Sequence, residues 1–146
     1  MKKVVMDLMT RKFIEVGEGD RIYEVVTKIV NGGGAMLACI IDKQERLKGI
    51  ITPREILRAV EVREFGTLRH PFFEGPRILH LLTSKYARDI MSPPVSVKSS
   101  DKIEKAIDIM LDEGFYEIPV VDEEGKVIGE INYFGIIQGS VESLKE

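Results

Sequence analysis

The residues of this chain that could do chemistry are few and widely spaced. Cys39, the one thiol, sits in the apolar run Cys39-Ile40-Ile41, where cysteine behaves as a small hydrophobe, so neither a nucleophile nor a disulfide framework is expected. His70 and His80 have no Cys, Asp or Glu at ligand spacing around them, which removes the usual signature of a metal site. Asn31-Gly32-Gly33-Gly34 is glycine-rich, but a phosphate-binding loop follows a strand and opens a helix. This run closes a helical pattern and precedes a strand, so it reads as a helix terminator. Thr52-Pro53-Arg54-Glu55 is the most ordered of these sets. Thr is a good N-cap, Pro fits the first helical position, and Glu three residues after Thr completes a capping box. Nucleophile, base and metal ligands nowhere converge, and no enzymatic activity is expected.

The elements that hold these residues occur twice. Ile118, Val120 and Val121 form a short β-branched run, Asp122 to Gly125 supply turn chemistry, and Val127, Ile128 and Ile131 resume the strand. Cys39 to Ile51 carries the same pattern, with Asp42 matching Asp122 and Gly49 matching Gly129, a shift of 80 residues (122 − 42 and 129 − 49). Upstream, Asp7-Leu8-Met9-Thr10 matches Asp89-Ile90-Met91-Ser92, and Asp20-Arg21-Ile22 matches Asp101-Lys102-Ile103. The chain is therefore a duplicated unit, divided as 1–57, a connector at 58–86, and 87–146. At 146 residues and 44% hydrophobic it can bury one sizeable core, so the copies are expected to pack as one tandem module.

Within each copy the periodicity is strand, helix, strand, strand, helix. Ile22, Val25, Val26, Ile29 and Val30 fall on one helical face, as do Ile103, Ala106, Ile107, Met110 and Leu111. Helices are expected from Pro53 to about Arg63 and after Asn132. In the connector, His70-Pro71-Phe72-Phe73-Glu74-Gly75-Pro76 should be a loop whose phenylalanines either pack on the core or form a contact surface. Ile78, Leu79, Leu81, Leu82 and Tyr86 suggest a short amphipathic helix.

Charge excludes some partners. Residues 87–146 carry 6 Lys/Arg against 13 Asp/Glu, a balance of −7, which disfavours nucleic-acid phosphates and anionic lipid. Asp7, Arg11 and Lys12 interrupt any secretory pattern, and no apolar run has membrane-spanning length, so a cytoplasmic location away from membranes is expected. Ile56, Leu57, Val60, Ile136, Ile137 and Val141 give both last helices apolar stripes, from which a homodimer is expected.

The Asp-Leu-Met-Thr and Asp-Ile-Met-Ser starts, Ile-Pro-Val-Val-Asp, Gly-Ile-Ile-Thr-x-x-Glu and the duplication together resemble the cystathionine β-synthase (CBS) domain as a tandem pair, or Bateman module. The likeness covers nearly the whole chain outside 58–86. It implies an α+β fold of two βαββα repeats packed sheet to sheet about a pseudo-twofold axis, often in disc-like dimers. It also implies a sensor that binds AMP, ADP, ATP or S-adenosylmethionine in clefts between the repeats and regulates an effector protein, here in trans. Such modules require no cofactor. The resemblance places ribose recognition at Thr52 and Glu55, where the family commonly has Ser or Thr and then Asp. Glu adds one methylene to that carboxylate's reach. A helix cap alone is the other reading of the same pair. The rest of the cleft would be lined by Ile50, Ser92, Pro94, Val95 and Ile118, with Arg54 available to a phosphate. In the second copy Asn132 and Gly135 stand at the Thr52 and Glu55 positions, so the ribose carboxylate is missing. Tyr116 and Glu117 stand where phosphate binders of the family often have His or Arg, which points to adenosine, AMP or S-adenosylmethionine before ATP. A structural module that dimerises without a ligand is the alternative.

Overall fold

Apolar periodicity becomes the two layers of each repeat. The computed structural model describes residues 3–66, 80 and 82–145. In chain order the helices are α1 (Val5–Leu8), α2 (Ile22–Val30), α3 (Pro53–Phe65), α4 (Ala87–Ile90), α5 (Ile103–Glu113) and α6 (Tyr133–Gly139), followed by a 3-10 turn at Glu142–Leu144. The strands are β1 (Ile14–Gly17), β2 (Ala38–Ile41), β3 (Leu47–Ile51), β4 (Val97–Lys98), β5 (Glu117–Val121) and β6 (Val127–Asn132). The expectations for Phe72-Phe73, His70 and a helix through Ile78, Leu79 and Leu81 lie outside the described residues.

The strands form two three-stranded sheets, ordered β1-β2-β3 and β4-β5-β6. The first strand of each is parallel to the second, with Ile14 opposite Ala38 and Val97 opposite Val120. That arrangement needs a crossover, which α2 and α5 supply. β5 and β6 are antiparallel, pairing Glu117 with Asn132, Ile118 with Ile131 and Pro119 with Glu130. The fold is α+β, each sheet carrying helices.

Two compact units result. The amino-terminal unit comprises Ile14–Asp42 and Lys48–Pro94, and the carboxy-terminal unit comprises Met1–Phe13, Lys43–Leu47 and Val95–Glu146. In the first, Ile14, Val16, Val25, Ala38, Ile40 and Ile51 form the core, and Cys39 is buried as the apolar run around it requires. In the second, Val97, Ile103, Met110, Ile118, Val120 and Ile131 do the same. Each fully buried Ile or Met stabilises its core by about 1.5–3 kcal/mol relative to exposure.

Two members of the expected helix faces are exposed. Val30 is 75% exposed and Leu111 is 69% exposed. Both lie eight positions after the first residue of their stripe, a rotation of roughly 80° from it at 3.6 residues per turn. They therefore stand at the edge of the face, beyond the reach of the sheet. α5 ends where Gly114 takes the left-handed conformation, φ 75°, a turn that glycine makes without a Cβ penalty.

Candidate functional site

In the amino-terminal unit the end of β3, the start of α3 and the chain after α4 converge on one carboxylate. Ile50 exchanges two backbone hydrogen bonds with Ser92, its N–H donating to the Ser92 carbonyl at 3.1 Å and accepting in return through its own carbonyl at 2.8 Å. This close approach is possible because residue 49 is glycine. A Cβ there would lie 2.7 Å from Met91 Sδ and 2.9 Å from the Ser92 carbonyl oxygen.

Thr52 then leaves the strand in extended geometry and caps α3, its Oγ1 accepting from the Arg54 N–H at 3.2 Å. Glu55 completes the box. Its Oε2 accepts from the Thr52 N–H at 2.8 Å and from the Thr52 hydroxyl, while its Oε1 accepts from the Ser92 hydroxyl at 2.6 Å. Glu55 is only 7% exposed. Three donors and the positive end of α3 thus meet at this buried carboxylate.

The structure thus brings together Ile50, Thr52, Glu55 and Ser92. Arg54 is exposed and, with Leu57, Arg58 and Glu61, lines an open depression of about 420 Å³ on α3. Pro94 is an exposed residue of the same unit. Val95 and Ile118 belong to the carboxy-terminal unit, where Ile118 is buried in the core and Val95 packs against it.

The corresponding positions of the carboxy-terminal unit hold a different set. Thr10 pairs with Glu130 as Ser92 pairs with Ile50, through two backbone bonds of 2.9 Å. Asn132 caps α6 by accepting from the Gly135 N–H at 2.8 Å. A Cβ on Gly135 would lie 2.8 Å from the Leu8 carbonyl oxygen, so the helix start has no room for the carboxylate found at Glu55. Instead two carboxyl groups are buried on the strands: Glu117 is 6% exposed and Glu130 is 3% exposed. Burial, the Glu117 charge and a hydrogen bond with Glu117 push the Glu130 carboxyl up to about 8. Sequence reasoning considered Glu117 alone. The signal for Glu130 was a single charge inside Val-Ile-Gly-Glu-Ile, at the position where the first copy has Ile50.

Among the described residues, no group of three or more His, Cys, Asp or Glu could hold a metal ion, and no helix is long and apolar enough to cross a membrane. His80 is engaged locally, with Nε2 2.5 Å from the Asp89 carbonyl oxygen.

Two three-stranded sheets carrying crossover helices, with a capped and buried helix-start carboxylate in one repeat, define a tandem repeat module. The CBS domain profile matches residues 5–62 and 87–141, and the chain belongs to the CBS domain family. A CBS domain-containing protein of Thermotoga maritima superposes with a TM-score of 0.82 at 24% identity, covering 99% of each chain. CBSX2 of Arabidopsis thaliana, solved in complex with AMP, superposes with a TM-score of 0.80 at 22% identity over 97% of this chain and 99% of that one. An uncharacterised protein of Methanopyrus kandleri is 28% identical over 140 residues, 94% of this chain and 63% of the relative. The chain thus spans less than two thirds of that relative's length.

Proposed function

We propose that the chain is a regulatory, non-catalytic module that binds one adenosyl ligand, such as adenosine, AMP or S-adenosylmethionine, and acts on a partner protein in trans. The observation that carries this reading is the state of Glu55. A buried carboxylate at a helix N-terminus, held by two hydroxyls, suits the two hydroxyls of a ribose. Ligand binding would exchange the Ser92 hydroxyl on Oε1 for a ribose hydroxyl. Ile50 and Pro94 belong to the same unit as Glu55, whereas Val95 and Ile118, the other two apolar residues of the expected lining, belong to the carboxy-terminal unit. The AMP complex of CBSX2 supports the ligand class. The repeats are taken as 1–57 and 87–146 with 58–86 as connector, and the module is taken to work in the cytoplasm.

Calorimetry with AMP and with S-adenosylmethionine is expected to give close to one site per chain. Glu55→Ala should weaken binding at least tenfold, since a hydrogen bond to a charged group contributes about 1.5–3 kcal/mol. Two equal sites, or undiminished affinity in Glu55→Ala, would count against the assignment.

One observation favours a second reading, a ligand-free dimerisation module: Glu55 is already satisfied inside the protein. The surfaces such a module needs are present, because Leu57 and Val60 on α3 and Phe134 and Ile137 on α6 are 44–81% exposed. We take the homodimer as part of both readings. Light scattering should show it, and Ile137→Glu should weaken it more than Glu142→Lys. Binding of neither ligand by a folded dimer would select the second reading.

A further inference from the structure

The exposed end of the carboxy-terminal unit, where α5 gives way to β5, has no role in the adenosyl reading. Gly114 and Phe115 both donate their N–H groups to the Met110 carbonyl, at 2.9 and 3.1 Å, and this turn folds the chain back beside the last turn of α5. Phe115 packs against the core, while Tyr116 is 64% exposed. Leu111, on the last turn of α5, is exposed as well. The Tyr116 and Tyr133 rings meet edge to face, with centroids 5.0 Å apart and planes at 68°. The tie between β5 and α6 is nevertheless a backbone bond, Tyr133 N–H to the Tyr116 carbonyl at 3.0 Å, which any residue at 116 can make. An exposed aromatic ring that the backbone does not require suits a contact outside the chain, where such rings are enriched.

The charges around this surface indicate what it contacts. Asp108, Asp112 and Glu113 on α5 are exposed and enter no ion pair among the described residues. Lys105 and Lys126, the nearest basic residues along the chain, pair elsewhere, with Asp101 and Glu124. Between Lys105 and Lys145 the chain holds nine acidic residues and one basic residue, Lys126. The amino-terminal unit differs at the same places. By the shifts of 81, 81 and 80 that relate the repeats (108 − 27, 112 − 31 and 116 − 36), Thr27, Asn31 and Met36 stand at the positions of Asp108, Asp112 and Tyr116. The shared fold therefore does not demand this combination.

Such a surface attracts a cation, and an open tyrosine face selects among cations. Guanidinium stacks on an aromatic ring and pairs with carboxylates through a planar fork, whereas ammonium is a compact point charge. The protein makes this contact once within itself, with the Arg88 guanidinium 4.4 Å from the Tyr86 ring centroid. We propose that Tyr116 and Leu111, with Asp108, Asp112 and Glu113, form the surface that receives a basic segment of a partner protein, an arginine stacking on Tyr116 and an aliphatic residue lying against Leu111. This names the chemistry of the partner in the function proposed above. It rests on that reading for a partner in trans, and not for a ligand at Glu55. The α6 stripe of Phe134 and Ile137 is left to self-association.

The test is a titration of the full chain, followed through its backbone amides by nuclear magnetic resonance, with acetyl-Arg-Leu-Arg-Arg-Leu-Arg-amide and its lysine counterpart. The arginine peptide is expected to shift residues 111–116 and Tyr133 most, and to bind more tightly than the lysine peptide. Tyr116→Ala should weaken it about fivefold, the size of an exposed cation–π contact. Asp122 to Glu124 serve as the internal control, being three acidic residues in a turn without an aromatic ring. Largest shifts there, equal affinity for the two peptides, undiminished binding by Tyr116→Ala, or no shift at millimolar peptide would each overturn the proposal. If Tyr116→Ala does not fold, the double variant Asp112→Asn with Glu113→Gln replaces it: weaker binding supports the surface and unchanged affinity overturns it. AMP added to the same sample separates the two readings. Shifts at Thr52 to Glu55 without peptide binding keep the ligand site and remove this surface, and peptide shifts without AMP shifts do the reverse.

Discussion

The two repeats share a backbone plan and divide their polar chemistry differently. In the amino-terminal unit the sheet positions Leu37 and Ile50 are apolar, and the buried carboxylate is at the helix start, Glu55. In the carboxy-terminal unit the helix start is Gly135, and the buried carboxyl groups have moved to the strands as Glu117 and Glu130. The first carboxylate is fully supplied with hydrogen-bond donors, while Glu130 keeps one oxygen bare. Duplication preserved what the backbone needs, a close strand crossing at Gly49 and Gly129. It left each repeat free to keep a different titratable group.

Replacing the crossing glycines should give the largest effect. A Cβ on Gly129 would lie 2.1 Å from the Thr10 carbonyl oxygen and 2.6 Å from Met9 Cε. Thr10 is fixed by its two backbone bonds to Glu130 and cannot withdraw. Gly129→Ala is therefore expected to cost about 3 kcal/mol or more, the upper range for overpacking. Gly49→Ala meets the Met91 side chain at 2.7 Å and the Ser92 carbonyl oxygen, held in the same way by two backbone bonds, at 2.9 Å; because the backbone overlap is smaller than at Gly129 it should cost less, about 1–2 kcal/mol. Urea unfolding curves check the order of the two, and the reverse order would break the idea that the carboxy-terminal crossing is the more rigid.

The helix starts come next. Glu55→Ala removes the acceptor for the Thr52 N–H and for two hydroxyls, and should destabilise by about 2 kcal/mol from the lost cap and an unsatisfied donor. Gly135→Ala sharpens the contrast. On helix propensity alone it should stabilise by about 1 kcal/mol. The Leu8 carbonyl at 2.8 Å from the new Cβ should turn that gain into a loss. A higher melting temperature for Gly135→Ala would mean that α1 yields, and that the second helix start could have held a carboxylate.

Much of this was legible from residue patterns. Period and cap chemistry specify α2, α3 and α5, since apolar stripes, Thr52-Pro53 and Gly114 are local signals. The duplicated Asp and Gly positions specify the hairpins. The edges of the stripes were not legible: Val30 and Leu111 are apolar and in phase, yet both are exposed. Nor was the placement of residues 43–47, which come from the first hairpin but pair with the second, Arg46 bridging Lys126. Thr52 and Glu55 were visible as a cap from spacing, but the Ser92 bond to Glu55 spans 37 residues and no local pattern carries it. Glu130 was hidden for a related reason. A lone charge in a strand is ordinarily a solvated face, and only the register with Glu117 makes it half of a pair.

The smallest expected effect lies in those two turns, where the repeats differ at one equivalent position. The shift of 80 residues puts Glu45 opposite Gly125 (125 − 45), and both have positive φ, 66° and 83°. For a residue with a Cβ the left-handed conformation costs roughly 1–2 kcal/mol, whereas glycine enters it freely. Glu45→Gly should relieve that strain, but glycine also widens the unfolded ensemble, which offsets about 0.4–1 kcal/mol of the gain. The backbone bonds at this position, Val127 N–H to the Glu45 carbonyl at 3.4 Å and Leu47 N–H to the Gly125 carbonyl at 3.4 Å, involve no side chain and should survive. A net stabilisation of about 0.5 kcal/mol is therefore expected for Glu45→Gly. Gly125→Ala should lose about 1 kcal/mol, because it introduces the strain and its Cβ meets only Arg46 carbons at 3.8 and 3.9 Å. Differential scanning calorimetry resolves changes of this size, and destabilisation by Glu45→Gly would show that the Glu45 side chain contributes more to the first turn than its backbone strain removes.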